Sequence, residues 1–147
     1  MIDMDDFKQI NDQYGHPAGD VVIRQVSEII RRSVRLFDIC TRFGGEEFAV
    51  LMPAAEREHA LRVAERIRQQ IGSYRPTGAG LEAVSVTVSV GLAVATSRSS
   101  EELIDAADRA LYRAKRSGKN RVEQNPSANS SQWKQNSPTS QIMGHGD

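Results

Sequence analysis

The sequence predicts an α+β domain, and three observations carry that prediction. Apolar residues recur at helical spacing over Ala18, Val22, Val26, Ile29, Ile30 and Val34, and again over Ala60, Ala64, Ile67 and Ile71. Val84, Val86, Val88 and Val90 alternate with Ser85, Thr87 and Ser89, the period of a strand with two different faces. Between the two helical runs, Gly44-Gly45 parts two short apolar stretches, Asp38 to Phe43 and Phe48 to Met52. That pattern reads as a hairpin whose glycines adopt positive φ without a Cβ penalty.

The elements follow in order. Met1-Ile2-Asp3-Met4 reads as the last residues of a buried strand, so the chain is expected to begin inside its domain. The first long helix covers Ala18 to Val34, and the hairpin strands come next. The second helix runs through Ile71 and can end at Gly72. Pro76 to Gly80 is a loop. The alternating strand continues through Leu92-Ala93-Val94. Ser99 with Glu102 forms a capping box opening a third helix over Leu103, Ala107, Ala110, Leu111 and Ala114, ended by Gly118. Leu111 and Tyr112 are expected in the core. After Val122 the composition turns to Ser, Asn, Gln and Pro, and no period links Trp133, Ile142 and Met143. Residues 123–147 therefore read as a disordered tail on a domain of residues 1–122.

Composition narrows the function. The net charge is zero, which removes any bulk electrostatic case for nucleic acid or an anionic membrane surface. Cys40 is the single cysteine, so no internal disulfide forms, as suits a reducing cytoplasm. The longest apolar stretch, Val84 to Ala95, is about half a membrane span and is broken by Ser85, Thr87, Ser89 and Gly91, so no membrane insertion is expected. The acidic start, Asp3, Asp5 and Asp6, is unlike an ordinary signal peptide.

Two acidic clusters carry the chemistry. Glu46 and Glu47 directly follow the glycine turn, where adjacent like charges gain nothing from the fold. A hard divalent cation such as Mg²⁺, which takes oxygen ligands and shares a phosphate, would explain them. Asp3, Asp5 and Asp6 form the second cluster. Asn and Asp together match a guanine edge, since Asp accepts from N1–H and the exocyclic amine. Lys8 and Lys115 offer charge to phosphates.

These motifs together closely resemble the GGDEF family of diguanylate cyclases. The matching stretches are Asp3 to Asp12, Gly15-His16, Gly19-Asp20, Arg42 to Phe48, Ser89-Val90-Gly91, Ala107-Asp108, Ala110-Leu111-Tyr112, Ala114-Lys115 and Gly118 to Arg121. The resemblance runs from residue 1 to about residue 122. It implies a nucleotidyl cyclase or palm-like fold, a central antiparallel-containing sheet flanked by helices. It implies an enzyme that joins two GTP molecules into cyclic di-GMP and releases pyrophosphate, as a homodimer of facing domains. The helical segment and most of the first strand that open the family's domain are not present, so little turnover is expected of this chain alone.

Position by position, the resemblance implies Mg²⁺ (or Mn²⁺) on Asp3, the Met4 carbonyl and Glu46, with Glu47 also tied to the metal. Glu46 and Glu47 are thus the implied catalytic pair. Asn11 and Asp20 would read the guanine, and Phe7, Lys8 and Lys115 would hold the phosphates. Lys119 stands where the family usually has Arg and loses the bidentate fork. Arg35-Leu36-Phe37-Asp38 matches the RxxD product-inhibition motif, with Arg62 and Arg66 assisting.

Plainer readings fit the same residues singly. Glu46 and Glu47 suit a solvated turn, and Asp3, Asp5 and Asp6 suit a helix N-terminus. Asn11, His16 and Asp20 suit turns or caps. Lys115 suits a helix C-terminus, and Arg35 with Asp38 a surface ion pair. At the level of function, the alternatives are an inactive module that binds cyclic di-GMP or GTP, and a non-functional fragment.

Overall fold

A computed structural model describes residues 1–78, 80–94 and 99–125. The strands are β1 (Ile2–Met4), β2 (Ile39–Arg42), β3 (Glu47–Leu51), β4 (Val88–Leu92) and β5 (Val122–Gln124). The helices are α1 (Phe7–Tyr14), α2 (His16–Arg32), α3 (Arg57–Ser73) and α4 (Ser100–Arg116). The sheet order is β2-β3-β1-β4-β5, with β1 antiparallel to both neighbours and β5 parallel to β4.

The pleat sorts the central strands into two faces. Ile2, Met4, Phe48, Val88 and Val90 join Val22, Val26 and Ile30 of α2 and Val63, Ile67 and Ile71 of α3 in the core. Asp3, Glu47 and Ser89 share the opposite face, because Asp3 is the register partner of both others. There α4 packs through Ala107 and Leu111 so closely that a Cβ on Gly91 would lie 2.1 Å from the Ala107 carbonyl oxygen. With a helix on each side, every residue of β4 is buried.

Several elements differ from the sequence expectation. The helix α1 was anticipated only in the reading of Asp3, Asp5 and Asp6 as helix N-terminal acids, because its apolar pair, Phe7 and Ile10, is too short a run to show a period. The next helix ends at Arg32, short of Val34, and α3 runs through Gly72 to Ser73. The alternating strand shrinks to β4. Val84 and Val86 are still buried and Ser85 exposed, but Asp5 N–H to the Thr87 carbonyl is the last rung, because Asp6 at φ 54 turns the chain out of the sheet into α1. Tyr112 is 61% exposed, outside the core, while Leu111 is buried. The capping box of Ser99 and Glu102 forms, and Gly118 follows α4 at φ 111. The strand β5 crosses the expected boundary at residue 122, and residues 126–147 of the expected tail lie outside the described residues.

The hairpin forms, but not as a positive-φ turn. Neither Gly44 nor Gly45 is in the left-handed region. The loop from Phe43 to Glu46 is wider, closed by Phe43 and Gly44 N–H donating to the Glu47 carbonyl. Arg42 donates to the Gly44 and Gly45 carbonyls and so satisfies the tip. A Cβ on Gly44 would lie 2.5 Å from Glu47 Oε2, so a side chain there would turn the Glu47 carboxylate aside.

Candidate active site

Three elements converge at the end of β1. Strand β1 supplies Asp3 and the Met4 carbonyl, and the hairpin supplies Glu46 and Glu47. The Met4 N–H donates to the Glu46 carbonyl at 3.2 Å, which ties the hairpin to β1 at the acidic cluster. The third element is α4, whose Lys115 Nζ lies 2.5 Å from Asp3 Oδ1, 3.3 Å from the Met4 carbonyl and 3.5 Å from Asp5 Oδ1. Burial pushes the Asp3 carboxyl above its ordinary range; Lys115 pulls it back down, and Glu46 and Asp5 push it up.

Asp5 has a different role from the helix-terminal one considered from sequence. Its carboxylate is buried and accepts from Ser89 Oγ at 2.7 Å, Thr87 Oγ1 at 2.7 Å and the Asn120 N–H at 3.0 Å. It fastens the end of β1 to β4 and to the turn after α4. Asp6 is exposed and pairs with Lys119 Nζ at 2.6 Å. Thr87, Ser89 and Asn120 were missed as site residues. The alternation of Ser and Thr with valine was the available signal, because hydroxyls on a buried strand face need an acceptor.

The N-terminus of α1 lies directly beyond Asp6, which makes no side-chain cap. Among the described residues, the N–H groups of Phe7 and Lys8 meet no backbone acceptor. Phe7 is buried and Lys8 exposed, so the backbone is anchored while the lysine faces outward. Further along, the Asn11 side chain lies against Gly19, the residue before exposed Asp20. The packing of α1 on α2 thus brings Asn11 next to the backbone that carries Asp20.

The oxygens fit a cation. An ammonium already bridges Asp3 and the Met4 carbonyl, and the Glu46 charge acts on the same carboxyl. Among the described residues, no three His, Cys, Asp or Glu side chains stand close enough to hold a metal unaided. A set of two carboxylates, one carbonyl and nucleotide phosphates is the kind Mg²⁺ accepts.

The RxxD stretch is a turn. Asp38 Oδ2 accepts from the Arg35 backbone N–H at 2.8 Å, and the Asp38 N–H donates to the Arg35 carbonyl. No Arg35–Asp38 ion pair forms; Arg35 Nη2 lies 3.4 Å from His59 Nδ1 on α3. Arg66, two turns along α3, donates to the Ser33 carbonyl at 2.6 Å, with Arg62 exposed between them. Arg35 and Asp38 also line a cleft of about 520 Å³ with Arg31 and Arg42, which Arg62 and Arg66 do not reach. His59 was not anticipated, and no sequence signal marked it.

The description that matches the chain is "Diguanylate cyclase, GGDEF domain", over residues 1–121. The chain belongs to the GGDEF family. It is 42% identical over 124 residues to diguanylate cyclase DosC of Escherichia coli strain K12, covering 84% of this chain and 27% of that protein. It is 42% identical to the response regulator PleD of Caulobacter vibrioides, covering 83% of this chain and 28% of that protein. The chain thus spans little more than a quarter of the length of these two relatives. Among solved structures, the GGDEF domain of DgcB from Caulobacter crescentus, in complex with c-di-GMP, superposes with a TM-score of 0.78 at 36% identity, covering 84% of this chain and 74% of that one. The active GGEEF domain of a Vibrio cholerae diguanylate cyclase has a TM-score of 0.78 at 31% identity, covering 85% and 80%. This GGDEF domain therefore has the palm-like cyclase fold, and among its described residues no helix is long and apolar enough to cross a membrane.

Proposed function

We propose that this domain condenses two GTP into one cyclic di-GMP and two pyrophosphates. The observation that carries the reading is the convergence of Asp3, the Met4 carbonyl and Glu46 beside Lys115 and the open N-terminus of α1. Asp3, the Met4 carbonyl and Glu46 would hold Mg²⁺ or Mn²⁺, with Glu47 beside them. When bound, the cation lowers the pKa of the attacking 3′-hydroxyl and neutralises the departing pyrophosphate. The Phe7 and Lys8 N–H groups suit phosphate oxygens at a helix N-terminus. Lys8, Lys115 and Lys119 add charge there, and Asn11 with Asp20 selects guanine. Each domain presents one GTP, so two domains must face each other, and the symmetry of the product calls for a two-fold dimer.

Cyclic di-GMP is proposed to inhibit at Arg35 and Asp38, with Arg62 and Arg66 assisting. The Arg35–Asp38 turn and its approach to α3 favour that site. The same turn favours the second reading, a module that binds cyclic di-GMP without turnover.

Calorimetry and product analysis test the assignment. The chain should bind GTP with Mg²⁺ in preference to ATP. Where turnover is measured, cyclic di-GMP and pyrophosphate should form, and Glu46→Ala or Asp3→Ala should remove most of it. Unimpaired turnover in Glu46→Ala, or equal binding of GTP and ATP, overturns the reading.

A further inference from the structure

The metal assignment above places a divalent cation on the Asp3 carboxylate and the Met4 carbonyl. Lys115 Nζ bonds those same two oxygens, at 2.5 Å and 3.3 Å. Mg²⁺ takes oxygen ligands at about 2.0–2.1 Å and tolerates little distortion of its octahedron. An ammonium left on Asp3 Oδ1 would sit a few ångströms from a doubly charged ion, in a partly buried site where repulsion is weakly screened. We propose that Lys115 is a placeholder cation: it competes with the metal for Asp3 and the Met4 carbonyl, and it is displaced onto the nucleotide's phosphates when metal and nucleotide bind together. The inference rests on the metal assignment under Proposed function.

Half-buried Asp3 and buried Asp5 show which contact can be exchanged. Asp5 accepts from Thr87, Ser89 and Asn120, so it keeps three donors if Lys115 leaves. Among the described residues, the Asp3 side chain has Lys115 as its one hydrogen-bonding partner, with the like charges of Glu46 and Asp5 acting on it. Loss of the ammonium therefore leaves Asp3 in need of another cation, whereas Asp5 stays satisfied. Helix α4 is held against β4 at Gly91, where its backbone leaves no room for a Cβ. The exchange is thus a rotation of the Lys115 side chain, not a shift of the helix.

Metal alone must drive the ammonium into water, whereas a phosphate offers it a new acceptor. Nucleotide and metal should therefore bind with positive coupling. Lys115 thus keeps the acidic cluster neutralised and delays metal capture until substrate arrives.

The test is Mn²⁺ binding to the nucleotide-free chain, read by electron paramagnetic resonance. Lys115→Met should tighten Mn²⁺ binding about tenfold or more, the worth of one charge-assisted contact. Lys115→Arg, which keeps the cation, should bind Mn²⁺ as weakly as the parent. A residue that only stabilised the fold would show the opposite, weaker binding in Lys115→Met. Asp3→Asn and Glu46→Gln are the controls. If they leave Mn²⁺ binding unchanged, the metal assignment itself is wrong. If they abolish it while Lys115→Met binds no tighter than the parent, the placeholder role alone is wrong. Should Lys115→Met fail to fold, the parent still decides: the Lys115 Nζ nuclear magnetic resonance signal should shift on titration with Mg²⁺ and a non-hydrolysable GTP analogue. A signal unmoved at saturation overturns the proposal.

Discussion

The side-chain oxygen of Asn11 stands 1.9 Å from where a Cβ on Gly19 would be. The contact places a proposed base-reading group directly against α2, and the buried Phe7 ring lies 3.0 Å from the same point, so a side chain at Gly19 would press on both. Gly19→Ala should push Asn11 away and cost about 1–3 kcal/mol of stability through overpacking. GTP affinity should fall about tenfold as one hydrogen-bonding partner is lost. Denaturant unfolding and calorimetry on the same protein check both effects. A fully stable Gly19→Ala with unchanged GTP affinity would remove Asn11 from the site.

Asp5 and Asp6 are neighbours in sequence that differ in burial, so their substitutions should differ sharply. Asp5→Ala leaves the Ser89 and Thr87 hydroxyls and the Asn120 N–H without their acceptor, while Lys115 keeps Asp3. Its expected cost is about 1–3 kcal/mol for each donor left unsatisfied in the interior. Asp6→Ala removes an exposed pair with Lys119 and should leave the unfolding midpoint nearly unchanged. Equal midpoints for the two variants would contradict the structural role given to Asp5.

Arg35→Ala isolates the proposed inhibitory contact. The turn is held by the Arg35 backbone and the Asp38 carboxylate, so it survives loss of the guanidinium. A charge-assisted contact is worth about 1.5–3 kcal/mol. Cyclic di-GMP affinity should therefore fall roughly ten- to a hundredfold while GTP binding is retained. An unchanged affinity for cyclic di-GMP in calorimetry would leave the motif as a surface turn only.

The sequence by itself determined the family and the α+β class, and it named the residues proposed to carry the chemistry. Those readings rest on local rules. Helical spacing located α2 to α4, the capping box located the start of α4, and the motif order identified the domain. Tertiary structure decided what depends on partners distant in the chain. The alternation from Val84 to Val90 became a strand only from Val88, because β1 turns away at Asp6 and a strand needs a partner for its backbone. Tyr112 is exposed although Leu111 beside it is buried, because the packed face of α4 is set by its contact with Gly91. Gly44 sits against the Glu47 carboxylate and does not use the positive φ read for it. Asp5, read as a helix-terminal acid, proved a buried anchor because Thr87, Ser89 and Asn120 converge on it from far along the chain. The meeting of Lys115 with Asp3 and the Met4 carbonyl spans 112 residues of sequence. No local pattern encodes such a separation, and only the packing of α4 across the sheet creates that contact.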